Sequence, residues 1–269
     1  MSSRARHALV SIAIAIVTVA FWAGAAAQRP ATVAAAANLN FALNEIKDRF
    51  VRERRTPVEI VFGASGTLTR QIQDGAPFEL FLAADEDFPK RLTVAGLTRD
   101  PGVVYALGRL VVFAPTGSPL TVDPRLDGLA RLVKAGKGTL PGGGKFAIAN
   151  PDVAPYGEAA EAVLQKHGLW DDLHPQLVLG DSIAQAAQFA MTGNAIGGLL
   201  AYSLVVEPGF AQRGTYAVIP ESDHLPLRQR MVLLKRASPT AMQFYNYLQG
   251  QTARDIFRRN GYGVPAEPR

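Results

Sequence analysis

The chain has 269 residues, of which 48% are hydrophobic, so it can bury one large core or two modest ones. Its 28 Lys and Arg against 23 Asp and Glu give a net charge of +5. The basic residues are scattered without interleaved aromatics, which argues against nucleic-acid binding. The sequence contains no cysteine, which excludes disulfides, thiolate metal sites and a lipid-anchored N-terminal cysteine.

The first 27 residues have the pattern of a secretory signal peptide. Two arginines and a histidine precede an apolar run over residues 8–21, and three alanines at 25–27 form an A-x-A cleavage site. We expect cleavage near Ala27, which would lower the net charge from +5 to +3. The alternative is a retained membrane anchor, because the apolar stretch is close to the roughly 20 residues that span a bilayer. The expected mature protein, residues 28–269, is soluble and exported.

Three apolar runs each lead into a turn of small and polar residues that opens a helix. The segments are ATVAAAANLN (31–40), VEIVFGASGTLTRQI (58–72) and KFAIANPDVAPYGEAAEAVL (145–164). Such a turn exposes unpaired backbone N–H groups beside the positive end of a helix dipole. Several such turns that converge would enclose a small oxyanion without a charged side chain.

Strand-like runs alternate with amphipathic helical patterns along the chain, which predicts an α/β fold with mostly parallel sheets. The predicted strands are 32–36, 58–62, 80–84, 110–114, 145–149, 196–200, 216–219 and 231–234. The predicted helices, where apolar residues recur at helical spacing, include 39–54, 159–166, 183–192 and 239–250. Pro- and Gly-rich segments at 116–124 and 139–144 are predicted surface loops.

Two segments match catalytic motifs only in part. The run from Gly63 lacks the second glycine of a G-x-S-x-G nucleophile elbow, because Thr67 stands in its place. The run Gly142–Lys145 is followed by Phe146, where a phosphate-binding P-loop has Ser or Thr. No His, Asp and Glu cluster has metal-ligand spacing. We therefore expect no enzymatic activity, no cofactor and no metal coordinated by side chains.

Five segments, in their order and spacing, carry a family resemblance over nearly the whole mature chain. They are AAAANL (34–39), FGASGTLTRQIQDGAPFELFLAADE (62–86), YALGRLVVFAP (105–115), AIANPDVAPYGEAA (147–160) and FYNYLQGQTARDIFRRNGYGVP (244–265). With these segments the chain resembles the periplasmic molybdate-binding proteins, the substrate-binding components of ABC molybdate importers.

The resemblance implies a two-lobed periplasmic-binding-protein fold of type II. Each lobe would be a mostly parallel sheet flanked by helices, and the ligand would lie in the interlobe cleft, which closes by a hinge motion. The implied division is a signal peptide at 1–27, the first part of lobe one at 28–108, lobe two at 109–219 and the C-terminal part of lobe one at 220–269.

The implied function is that of a soluble, monomeric periplasmic receptor. It would bind molybdate, and also tungstate, and deliver it to an inner-membrane ABC permease whose ATPase is a separate component. A receptor or sensor module for another tetrahedral oxyanion, such as sulfate, is the alternative. Neither reading involves nucleic acid.

The resemblance also implies which residues contact the oxyanion. The family's contacts carry over to the side chains of Asn38, Ser65 and Tyr156 and to the backbone N–H groups of Ala84 and Ile183. Some relatives have serine at the position of Asn38 and a tyrosine near Ala201, so Tyr156 is expected to supply the phenol here; the role of Tyr202, one position from Ala201, stays open.

Each position also has a structural alternative. Asn38 and Ser65 could cap helices, Tyr156 could be a surface aromatic, and Ile183 could be a core residue on a helix capped by Ser182 or Asp181. Asp85 and Asp181 are expected to be helix caps and not ligand contacts.

The chemistry of the ligand agrees with these positions. Molybdate at neutral pH is a fully ionised tetrahedral dianion, so its oxygens accept hydrogen bonds and donate none. None of the five positions is acidic, whereas a phosphate site would gain from a carboxylate that accepts the phosphate proton. The molybdenum would be held only as its oxyanion. Because tungstate is almost the size of molybdate and sulfate is smaller, we expect tungstate to compete well and sulfate poorly.

Overall fold

The computed structural model describes residues 29–193 and 195–266. The predicted signal peptide lies outside these residues. Within the described part of the chain, no helix is both long enough and apolar enough to cross a bilayer. From Ala31 onward the chain forms one compact unit.

The described strands form two five-stranded sheets. The strands are β1 (Ala31–Ala36), β2 (Val58–Gly63), β3 (Leu80–Leu82), β4 (Val103–Leu107), β5 (Leu110–Pro115), β6 (Phe146–Ala149), β7 (Leu177–Gly180), β8 (Gly197–Ala201), β9 (Gly214–Val218) and β10 (Arg228–Leu233). Sheet one has the order β2-β1-β3-β10-β4, and sheet two has the order β7-β6-β8-β5-β9. The chain passes between the sheets at residues 108–109 and again at 219–227.

Both sheets are mixed, which corrects the expectation of mostly parallel sheets. In sheet one, β1 pairs in parallel with β2 and β3, whereas β10 is antiparallel to β3 and β4. In sheet two, β6 pairs in parallel with β7 and β8, whereas β5 is antiparallel to β8 and β9. The antiparallel pairs arise because β5 and β10 enter their sheets from the other sheet and not through a helical crossover.

Helices cover the sheets, and four of the described α-helices begin with a proline in the first turn or with a side-chain cap. They are α1 (Asn40–Arg54), α2 (Ser65–Gln73), α3 (Asp87–Val94), α4 (Asp127–Ala135), α5 (Pro155–Lys166), α6 (Trp170–Leu173), α7 (Ile183–Met191), α8 (Tyr202–Val205), α9 (Pro208–Ala211), α10 (Pro239–Gln249) and α11 (Gln251–Arg259). Helix α1 buries Leu43, Ile46 and Phe50 on one face, as its apolar spacing predicts. Pro155 occupies the first position of α5, where its missing N–H has no cost.

The predicted α/β fold with two sheets is confirmed, but strands β4 and β7 were not predicted. Strand β7 has only four residues and is half-buried along most of its length, so its pattern is weak. One hydrophobic core cluster includes residues of both sheets, such as Val33 and Leu80 of sheet one and Phe113 and Phe146 of sheet two. A smaller cluster on the other face of sheet one includes Leu68 and Phe81.

Candidate functional site

The five predicted contact positions all follow the carboxyl ends of parallel strands. Asn38 lies in the 3-10 turn Ala37–Leu39 after β1, Ser65 begins α2 after β2, and Ala84 follows β3. In sheet two, Tyr156 lies in the first turn of α5 after β6, and Ile183 begins α7 after β7. Ligands of open α/β sheets bind at this edge, because the strand-to-helix turns converge there.

The structure brings all five residues to one small cavity between the two sheets. Its lining consists of Ala36, Ala37, Asn38, Gly63, Ala64, Ser65, Ala84, Ala154, Pro155, Tyr156 and Ile183. It encloses about 200 Å³ of space between atoms, part of which is open to solvent. No Lys, Arg, His, Asp or Glu is among these lining residues.

Helix N-termini supply the positive potential of this cavity. The first turns of α2, α5 and α7 contribute Ser65, Tyr156 and Ile183 to the lining. The end of each helix carries roughly half a positive charge, together with N–H groups that lack a partner in their own helix. Such an arrangement attracts an anion without a charged side chain.

Ser65 and Ala84 are joined by a hydrogen bond. The buried Ser65 hydroxyl accepts from the Ala84 N–H at 3.0 Å, and it therefore keeps its own proton for another acceptor. Ser65 is the first residue of α2 and makes no capping bond, so its alternative role as a helix cap is wrong. An oxyanion at this position would meet the Ser65 hydroxyl and compete for the Ala84 N–H.

Asn38 is almost fully buried, at 1% exposure, and its amide is oriented by two neighbours. Its Nδ2 donates to Gln229 Oε1 at 3.0 Å and to the Tyr262 hydroxyl at 3.1 Å. Its Oδ1 has no hydrogen-bond partner among the described residues. Because Leu39 occupies the N-cap position of α1, Asn38 does not cap that helix. Both Nδ2 protons are used in these two bonds, so Asn38 fixes the orientation of Gln229 at the back of the cavity.

Tyr156 presents a neutral phenol to the cavity. Its side chain is 1% exposed, so it is not the surface aromatic of the alternative reading. Burial raises the pKa of Tyr156 well above 10, so the hydroxyl keeps its proton at neutral pH. Gln229 Nε2 donates to this hydroxyl at 3.2 Å.

Ser182, Ile183 and Asp85 have structural roles beside the cavity. The Ser182 hydroxyl caps α7 by accepting from Gln185 N–H at 3.4 Å, and the Ile183 side chain is buried. The Asp85 carboxylate accepts from Phe88 N–H at 3.3 Å, as its expected capping role requires.

A larger neighbouring cavity is unsuited to an anion. It encloses about 660 Å³, and its lining includes the carboxyl groups of Asp85, Glu86, Asp87 and Glu158. Desolvation raises the pKa of Asp85 to about 7, and the carboxylates of Asp87 and Glu158 add to the effect. In residues 29–193 and 195–266, no group of three or more His, Asp or Glu residues could hold a metal ion.

Sequence reasoning did not identify the buried polar groups behind the cavity. They are Gln229, Tyr105, Tyr262 and Ser203, and Gly108 lies against Gln229 and Tyr156. The Tyr262 hydroxyl donates to the Asn38 carbonyl at 2.6 Å, and Ser203 donates to the same carbonyl at 3.0 Å. Gln229 stands between Arg228 and Arg230 and outside the predicted strand 231–234, so no sequence pattern indicates that it is buried or which group it meets.

Comparisons with known proteins agree with this architecture. Residues 31–263 match the family model described as bacterial extracellular solute-binding protein. The chain is 37% identical to the molybdate-binding protein ModA of Azotobacter vinelandii, over 95% of this chain and all of that protein. It is also 37% identical to ModA of Rhodobacter capsulatus, over 85% of this chain and 86% of that protein.

A solved structure supports the same relationship. The periplasmic molybdate-binding protein of Azotobacter vinelandii superposes with a TM-score of 0.78 at 29% identity, covering 88% of this chain and all of that one. The sequence matches extend over most of the chain. The fold and the order of the strand-to-helix turns indicate the same family. The chain therefore belongs to the molybdate-binding protein (ModA) family of bacterial extracellular solute-binding proteins.

Proposed function

We propose that this protein is a periplasmic receptor that binds molybdate, and also tungstate, and delivers it to the membrane permease of an ABC importer. The observation that carries the proposal is the convergence of Asn38, Ser65, Ala84, Tyr156 and Ile183 on one cavity that has no carboxylate in its lining. A fully ionised tetrahedral dianion needs a site of this kind, since every oxygen accepts and none donates. As a member of a family of binding proteins, the chain is not an enzyme, in agreement with the sequence analysis.

Hydrogen bonds alone account for tight binding at such a site. A hydrogen bond to a charged group contributes roughly 1.5–3 kcal/mol. Five to seven of them give a gross total of roughly 7.5–21 kcal/mol, a range that extends well above the roughly 8 kcal/mol of a micromolar dissociation constant and leaves room for the cost of ordering the site. The site therefore needs no arginine, no metal coordinated by side chains and no cofactor.

We further propose that the two sheets mark two lobes, with boundaries near residues 108 and 219, that close on the ligand. The connections at 108–109 and 219–227 would then act as the hinge. The Gly66 N–H donates to the Val153 carbonyl at 2.9 Å, which joins the turn after β2 to the turn after β6. This bond supports a closed arrangement in which both sheets contribute to one site.

The partners and location follow from the same proposal. We propose export, with cleavage of the signal peptide near Ala27, and action as a monomer with an inner-membrane permease and its ATPase. The Azotobacter vinelandii relative of known structure is itself described as periplasmic. A receptor or sensor for another oxyanion, such as sulfate, is not favoured, because the curated relatives at 37% identity are molybdate-binding proteins.

Calorimetric titration of residues 28–269 tests the function directly. Molybdate, tungstate, sulfate and phosphate should be titrated in the same buffer. We expect saturable one-to-one binding of molybdate and tungstate, with weak or absent binding of the other two. Equal affinity for sulfate would refute selection by size, and binding of sulfate alone would replace molybdate as the ligand.

A further inference from the structure

Gln229 is a fully buried polar residue that no part of the proposed function uses. It lies in β10 at a register shift between Gln229 and Arg230, and its exposure is 0%. Its side-chain amide lies between two of the predicted ligand contacts, Asn38 from sheet one and Tyr156 from sheet two. Removing a polar amide from water costs free energy, so buried amides are found where protein groups satisfy their hydrogen bonds.

The oxygen of this amide faces two donors. Asn38 Nδ2 donates to Gln229 Oε1 at 3.0 Å. The Tyr105 hydroxyl lies 3.0 Å from the same oxygen and 2.8 Å from the Ala83 carbonyl, so its proton is shared between them. Since Oε1 is held on this side, the Nε2 group is directed at the Tyr156 hydroxyl, 3.2 Å away.

The Tyr156 oxygen is therefore surrounded by donors. Besides Gln229 Nε2, the backbone N–H of Arg109 interacts with it. A phenol has one proton and can accept through its lone pairs. When neighbouring N–H groups occupy the lone pairs, the proton is left for an acceptor on the open side, which here is the cavity.

We propose that Gln229 is a positioning residue of the oxyanion site, which directs the Tyr156 proton to a ligand oxygen by donating its own N–H to the phenol. This inference rests on the proposed function in that it requires a bound oxyanion. It does not depend on which oxyanion is bound. Without Gln229, the same phenol could turn its proton toward another acceptor, and the ligand would lose a donor.

A double-mutant cycle tests the proposal with a result that a purely structural role would not give. Tyr156→Phe is measured in the native chain and in the Gln229→Glu background, at an alkaline pH where the introduced carboxyl is ionised and accepts the phenolic proton. The affinity is measured by calorimetry for molybdate, tungstate and sulfate, and the cycle uses whichever of them binds most tightly. Gln243→Glu, at an exposed position on α10, is the control for the added charge.

Tyr156→Phe should weaken binding roughly 10- to 100-fold in the native chain and in Gln243→Glu, because a donor to a charged ligand is lost. In Gln229→Glu it should change the affinity by less than about threefold, because the phenol no longer donates to the ligand. An equal loss from Tyr156→Phe in all three backgrounds would overturn the proposal.

A neutral variant covers the case in which Gln229→Glu does not fold, as judged by thermal melting. Gln229→Met keeps the length of the side chain but removes the donor, so the Tyr156→Phe loss should become several-fold smaller than in the native chain; an unchanged loss would again overturn the proposal. If sulfate binds in place of molybdate, the proposed function fails while the cycle still decides the role of Gln229. If none of the three oxyanions binds, both proposals are overturned.

Discussion

Gly108→Ala should damage the site without removing any polar group. Gly108 connects β4 to β5, and a β-carbon there would lie 2.4 Å from the Tyr156 hydroxyl oxygen and 2.6 Å from Gln229 Nε2. Ordinary van der Waals contact begins near 3.4 Å, so the phenol would have to retreat by about 1 Å. The hydrogen bond between Gln229 and Tyr156, already 3.2 Å long, would not survive that movement.

The expected magnitude follows from the burial of the two side chains. Neither has free space to move into, since Tyr156 is 1% and Gln229 0% exposed. Adding a methyl group to such a core costs about 1–3 kcal/mol of folding free energy. Displacing the phenol from the ligand costs about 1.5–3 kcal/mol of binding free energy, which is roughly a 10- to 150-fold weaker affinity.

Thermal melting measures the loss of folding free energy, and calorimetry measures the loss of binding free energy. Gly250→Ala is the matched control in both. Gly250 lies between α10 and α11, and the nearest atom to a β-carbon there is the Tyr247 carbonyl oxygen at 3.3 Å. In a Tyr156→Phe background the methyl group no longer meets the hydroxyl, so Gly108→Ala should then cost less affinity. Unchanged oxyanion affinity in Gly108→Ala would refute the placement of Tyr156 in the site.

Three further predictions concern the rim and the surroundings of the cavity. Ser65→Ala should weaken oxyanion binding by about 1.5–3 kcal/mol in a titration, and unchanged affinity would remove Ser65 from the site. Gly66→Ala should weaken binding because its β-carbon would approach Val153 to 3.0 Å and hold the two turns apart; full affinity would argue against this contact in the bound state. Desolvation raises the pKa of Asp85 from 3.8 to about 7, so the folded chain holds more protons than the unfolded chain between these values, and this contribution to stability should be lost as pH rises across that range. Asp85→Asn should remove this component from melting curves measured across the range, and an identical pH profile in the variant would contradict it.

Three strand-to-helix turns of the candidate site could be predicted from local rules, whereas the assignment of individual contact residues came from the family resemblance. A strand, a turn of small residues and a helix follow one another within a few residues at Asn38, Ser65 and Tyr156. Parallel strands β1, β2 and β3 place their carboxyl ends at one edge of sheet one, and β6 and β7 do the same in sheet two. Parallel pairing brings the turns of each sheet to one edge, whereas the meeting of the two edges at one cavity depends on how the two sheets pack.

The groups that orient the contacts could not be predicted in this way. Gln229 reaches Asn38 across 191 positions, and Tyr262 reaches it across 224. No periodicity or turn rule relates residues at such separations. The mixed character of the sheets was missed for a related reason, since the direction of β10 depends on where the chain returns from sheet two and not on its own residues.

The division of the contacts between the sheets has a consequence for closure. Asn38, Ser65 and Ala84 come from sheet one, whereas Tyr156 and Ile183 come from sheet two. An oxyanion bound to sheet one alone would lack two hydrogen bonds, each of roughly 1.5–3 kcal/mol. A ligand shifts a conformational equilibrium only by the difference between its affinities for the two states. Here that difference is roughly 3–6 kcal/mol, so an oxyanion would favour the closed arrangement by on the order of 10² to 10⁴. The same donors would therefore both bind the ligand and stabilise the closed arrangement of the two sheets.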